Sequence, residues 1–95
     1  MKFTFQVGEG EKHQVTFHFN QLVGNLKITV DQKPVVRDFR TASLKLVKTY
    51  AFPVGNAERH NVRIEKERKL LLAGFRKQRY RVFVDDALVQ EHEGF

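Results

Sequence analysis

Apolar and polar residues alternate along almost the whole of this 95-residue chain, and that period of two is what most limits the folds open to it. Phe3, Phe5 and Val7 alternate with Thr4 and Gln6, and Val15, Phe17 and Phe19 with Thr16 and His18. Leu26, Ile28 and Val30 alternate with Lys27 and Thr29, and Val62 and Ile64 with Arg63 and Glu65. Tyr80, Val82 and Val84 alternate with Arg79, Arg81 and Phe83. Successive side chains of a strand leave opposite sides of a sheet, so each segment has one apolar face and predicts a half-buried strand. Further short strands are predicted at 35–37, 44–52 and 87–90, with a tail at 91–95 expected to fray. Turn residues separate them, at 8–12, Gly24-Asn25, 31–34 and Asp85-Asp86. Pro53 lacks a backbone donor and is expected at a sheet edge or just past a paired stretch. The one candidate helix, 65–73, consists of good helix formers. It spans little more than two turns between strand-like flanks, too short to stand without tertiary help.

The two halves repeat each other. Phe5-Gln6-Val7-Gly8, four spacers and His13-Gln14-Val15-Thr16-Phe17 match Phe52-Pro53-Val54-Gly55, four spacers and His60-Asn61-Val62-Arg63-Ile64, at an offset of 47. Ile28-Thr29-Val30-Asp31 and Val35 match Val82-Phe83-Val84-Asp85 and Val89 at an offset of 54. The second copy therefore carries seven extra residues between Ile64 and Val82. A turn at Gly24-Asn25 pairs Phe19 with Val30. A turn at Ala73-Gly74 would pair Ile64 with Phe83 and set Val82 and Val84 on the wrong face. Since a one-residue slip flips a whole strand, a β-bulge or an odd-length turn is predicted between Glu65 and Tyr80.

Three strands cannot bury an apolar face alone, but two such units facing each other can. The reading is an all-β fold, a two-sheet antiparallel β-sandwich of seven or eight strands, forming one domain over 1–95. Its half-repeats are 3–37 and 44–90, joined near 38–43. The predicted core is Phe3, Phe5, Val7, Val15, Phe17, Phe19, Ile28, Val30, Leu46, Tyr50, Phe52, Val62, Ile64, Val82 and Val84.

Five stretches, His13 to Phe17, Lys27 to Asp31, Leu44 to Val47, Phe52 to Gly55 and Tyr80 to Asp85, resemble in order and spacing one domain of the Fas apoptotic inhibitory molecule family. The likeness spans roughly residues 3 to 90. It implies a compact β-sandwich with no catalytic centre, acting by protein contact in protection from death signals and in restraint of protein aggregation. Animal members carry two such domains, and this chain has length for one. The family usually has glycine after the hairpin aspartate, where this chain has Gln32 and Asp86.

Charge gives the main functional signal. The chain carries 17 Lys and Arg against 11 Asp and Glu, a net +6, which favours acidic partners. Eight basic residues gather in the second hairpin: Arg63, Lys66, Arg68, Lys69, Arg76, Lys77, Arg79 and Arg81, with Glu65 and Glu67 the acids among them. Parity turns Arg79, Arg81 and Phe83 away from the core. Arginines beside an exposed aromatic can hold phosphates and stack a base, although a solvated, soluble face has the same composition. The hairpin tip, Leu70-Leu71-Leu72-Ala73-Gly74-Phe75, is apolar, and it either enters a partner groove or membrane interface or folds back over the open end of the sandwich.

His13 and His60 are equivalent in the repeat. Pseudo-symmetry is expected to keep them apart, each starting a strand and hydrogen-bonded to turn backbone, so no metal site is predicted. Ser43, the single serine, lies in no nucleophile elbow, and no glycine-rich loop precedes a helix. The expectation is therefore no enzyme and no cofactor. The chain has no cysteine, no apolar run near the ~20 residues of a membrane helix and no signal-like N-terminus, which suits a cytoplasmic protein. The favoured function is a non-enzymatic domain binding protein surfaces through a sheet edge and the basic hairpin. Nucleic-acid binding by 63–81 is the alternative, a peripheral membrane role is third, and a homodimer through a sheet edge is compatible with all three.

Overall fold

The computed structural model of the chain describes residues 1–20, 25–39, 47–67 and 78–94. They form eight strands: β1 (Lys2–Val7), β2 (His13–Asn20), β3 (Asn25–Val30), β4 (Lys33–Phe39), β5 (Val47–Val54), β6 (His60–Glu67), β7 (Gln78–Val84) and β8 (Ala87–Gly94). β1-β2-β3-β4 make one antiparallel sheet and β5-β6-β7-β8 the other, each a meander, so the two halves of the repeat are the two layers.

Period-two patterning sets the faces. On β1, Phe3, Phe5 and Val7 are buried while Lys2, Thr4 and Gln6 are exposed. β5 continues the rule with Tyr50, Phe52 and Val54 inward. The layers meet through aromatic rings. Phe17 lies 4.8 Å from Phe3 and 5.1 Å from Tyr80, and Phe3 stacks at 4.2 Å on His92 of β8. The buried core also includes Leu26, Val54 and Tyr80, which pattern reading had not assigned to it, whereas Val30 and Val84 are only partly buried against it. Leu46 lies outside the described residues. The Tyr80 hydroxyl is buried without a hydrogen-bond partner, and that burial pushes its pKa up.

Register corrects the first hairpin. Phe19 faces Leu26, not Val30, which pairs with Val15, and Asn25 is a paired strand residue opposite Asn20 rather than part of a turn. The parity of both choices is the same, so the buried set survives the shift. In the second hairpin Ile64 faces Val82 and Glu67 faces Arg79 without a shift, leaving the odd-numbered stretch 68–78 between the last paired residues. Val82 and Tyr80 thereby face inward, as the predicted parity change requires. The candidate helix is a strand as far as Glu67, and its remainder lies outside the described residues. Glu91 to Gly94 do not fray, because they complete β8 against β7.

Two bulges fall where the pattern was silent. Val35 is the unpaired residue between Pro34, opposite Thr29, and Val36, opposite Ile28. Val89 holds the same place between Leu88, opposite Phe83, and Gln90, opposite Val82. Each bulge follows a two-residue turn whose central residues both have positive φ: Asp31 (49°) and Gln32 (69°), Asp85 (50°) and Asp86 (67°). That is the type I′ hairpin, whose twist matches the strands it joins. Gln32 sits where glycine would be unstrained. Gln32→Gly should therefore raise stability by about 1 kcal/mol, the penalty of a left-handed non-glycine residue. Asp86→Gly should give less, since Asp86 also accepts a hydrogen bond from Arg63. Urea midpoints of the two variants would check the order.

Candidate functional site

Two loops, 8–12 and 55–59, meet where the sheets close at one end. Each begins with a glycine at φ +99°, Gly8 and Gly55, where a Cβ would overlap the carbonyl oxygen three residues on. The sharp turn leaves several backbone N–H groups of each loop pointing at the other loop, and a carboxylate from that other loop takes them. Glu58 accepts from the N–H of Glu9 (2.7 Å), Gly10 (2.7 Å) and Glu11 (3.2 Å). Glu11 accepts from those of Asn56 (2.6 Å) and Ala57 (2.9 Å). The exchange is reciprocal.

Each glutamate is also tied to a histidine. His13 Nε2 lies 2.6 Å from Glu11 Oε2 and its Nδ1 2.5 Å from Asp31 Oδ2. His60 repeats this with Glu58 (2.6 Å) and Asp85 (2.5 Å). Asp31 further accepts the N–H of Gln14 and Asp85 that of Asn61, both at 2.9 Å. A carboxylate on both ring nitrogens favours the protonated form of each imidazole. Its pKa is raised by the hydrogen bonds and by the negative charge of its two neighbours. The His bonds and the backbone N–H donors hold Glu11 and Glu58 down at about 2. Asp31 and Asp85 are lowered by the same kinds of contact, backbone N–H first.

This corrects the reading of the histidines. Their loops interlock, and their partners are carboxylates rather than turn backbone. Glu11 and Glu58 were passed over as spacers, yet they too are related by the offset of 47, as Asp31 and Asp85 are by 54. Both ring nitrogens of each histidine are engaged by carboxylates. The arrangement is a double clamp that closes one end of the sandwich.

The basic hairpin forms a second candidate surface. Arg63, Arg79, Arg81 and Phe83 stand on the outer side of the second sheet, as parity predicts. Lys66 does not. It points inward at 7% exposure, with Nζ 3.7 Å from the Phe19 ring centroid, and is withdrawn from that surface. Arg68, Lys69, Arg76, Lys77 and the tip 70–75 lie outside the described residues. The outer cations that are described face carboxylates. Arg63 lies 4.2 Å over the Phe83 ring, 3.0 Å from Asp86 and 3.4 Å from Glu65. Arg81 reaches Glu91 at 3.1 Å and Glu67 at 3.8 Å. Register places Arg79 between Glu67 and Glu93. Counting charges within 63–81 missed Asp86, Glu91 and Glu93. The two-residue turn and the bulge at Val89 together lay Glu91-His92-Glu93 against Arg79-Tyr80-Arg81, a register that the turn alone would have missed by one residue.

No family model, curated protein or solved structure matches this chain. Among the described residues no helix is long and apolar enough to cross a membrane.

Proposed function

We propose that this chain is a non-enzymatic interaction domain that binds protein surfaces through the edges of its sheets and the basic side of its second sheet, in the manner of the Fas apoptotic inhibitory molecule family that it resembles. One observation carries the reading. The large apolar side chains exposed among the described residues, Val35, Val47, Leu88 and Val89, all lie on the edge strands β4, β5 and β8. Apolar groups collected along sheet rims offer contact to another polypeptide, whereas the broad faces carry polar and charged residues. The engagement of both nitrogens of His13 and of His60 supports a structural rather than a catalytic role for the clamp. The proposed setting is the cytoplasm, with which a cysteine-free chain is compatible.

The carboxylates facing Arg63 and Arg81 take support from the nucleic-acid reading, because a phosphate would have to displace them. The test is a fluorescence-anisotropy titration against two labelled probes at low and physiological salt. One is reduced, carboxymethylated α-lactalbumin, an extended acidic chain, and the other is single-stranded RNA. The extended chain should bind, and Leu88→Ser/Val89→Ser should weaken it. RNA binding that falls steeply with salt, with no response to the extended chain, would overturn the proposal in favour of nucleic acid.

A further inference from the structure

The four sheet edges are not alike. On β4, Pro34 removes a donor and the bulge at Val35 bends the strand. On β8, the bulge at Val89 does the same, and Glu91 and Glu93 follow it. On β5, Pro53 occupies the place that the repeat assigns to Gln6. Prolines, bulges and edge charges are the devices that stop sheet edges from pairing with further strands. β1 has no proline and no bulge, and its ladder with β2 runs in unbroken register from Lys2 opposite His18 to Val7 opposite His13.

The direction of its free groups follows from one pair. Met1 and Phe19 exchange both backbone hydrogen bonds, at 2.8 Å each. Such pairs alternate along an antiparallel ladder, so Phe3, Phe5 and Val7 bond to β2. The N–H and C=O of Lys2, Thr4 and Gln6 then point out of the sheet. We infer that the β1 edge docks a second copy of this chain, antiparallel about a two-fold axis at Thr4, joining two first sheets into one of eight strands.

The choice of a second copy rests on self-complementarity. In that register Thr4 faces Thr4 of the second copy, Lys2 faces Gln6 and Phe3 faces Phe5. The three outward residues of each strand form about six backbone hydrogen bonds. The single charge on β1, Lys2, meets a neutral side chain, so the two-fold brings no like charges together. The inference rests on the reading that sheet edges are the binding elements, and it names the edge and the occupant.

Sedimentation velocity on the full chain over a concentration series tests it. Wild type should show a monomer–dimer equilibrium. Thr4→Lys and Thr4→Asp each set like charges directly opposite at the axis and should weaken it roughly tenfold or more. An equimolar mixture of the two variants should restore the dimer, a rescue that a folding defect would not give. Gln6→Pro should also weaken it while leaving the urea midpoint close to wild type, because β5 carries a proline at the same place. A wild type that stays monomeric to its solubility limit would overturn the inference, as would a dimer indifferent to Thr4→Lys. The same samples, titrated with carboxymethylated α-lactalbumin, separate the two ideas. Monomers that bind it would remove the self-association and leave the interaction domain. Dimers that bind nothing would do the reverse.

Discussion

Phe17→Ala should lower the unfolding free energy by roughly 3–5 kcal/mol. Phe17 is fully buried, and its ring touches Phe3 in its own sheet and Tyr80 in the opposite one. Truncation therefore opens a cavity at the layer interface, where neither sheet can collapse without moving the other. Small domains have roughly 5–15 kcal/mol in total, so the variant would be close to unfolding. Urea denaturation followed by circular dichroism gives the number. Phe83→Ala, on the outer side beneath Arg63, should cost less than half as much. Equal losses would place the energetic centre of the fold outside the sandwich.

Glu11→Gln/Glu58→Gln should be the most disruptive surface change. It weakens the acceptors of five loop N–H groups and removes one carboxylate from each histidine at once. The urea midpoint at pH 6 should fall well below that of a Glu9→Gln control. The pH profile should change as well. The histidines have folded pKa values above their ordinary 6.5, so their contribution is complete below pH 6.5 and is lost as pH rises through the raised values. The glutamates have folded values of about 2 against an ordinary 4.5, so theirs is complete above pH 4.5 and is lost as pH falls towards 2. Wild-type stability should therefore peak between about pH 4.5 and 6.5 and decline on both sides. The double variant should lose much of the acid limb. A wild-type midpoint that is flat from pH 4 to 9 would contradict the clamp.

Much of this fold was legible because its rules are local. Alternation assigned Phe3, Phe5, Val15, Phe17 and Ile64 to the interior without any knowledge of partners. The repeat then paired the halves as layers. Register was harder, since Phe19 reaches the same face whether Leu26 or Val30 stands opposite. Lys66 shows the limit of charge counting: its parity with Ile64 turns it inward, and its long stem brings the ammonium to the Phe19 ring. The clamp was the least legible part. Its bonds join residues up to 49 apart in sequence, and nothing within either loop says that a carboxylate in the other will accept its N–H groups. Only the repeat of Glu11 as Glu58 carried a trace of it.

The exchange between those loops has a bearing on lineage. Glu11 serves the loop of Glu58, and Glu58 serves the loop of Glu11, so one position meets both obligations under a two-fold relation. A half-length chain with a single such glutamate would satisfy its own loop only by meeting its twin, as isologous dimers do. Joined end to end, the twins keep that mutual dependence while related positions are released from matching. Thr16 corresponds to Arg63 on the outer side and Phe19 to Lys66 on the inner one, so the two layers differ in charge on both of their faces.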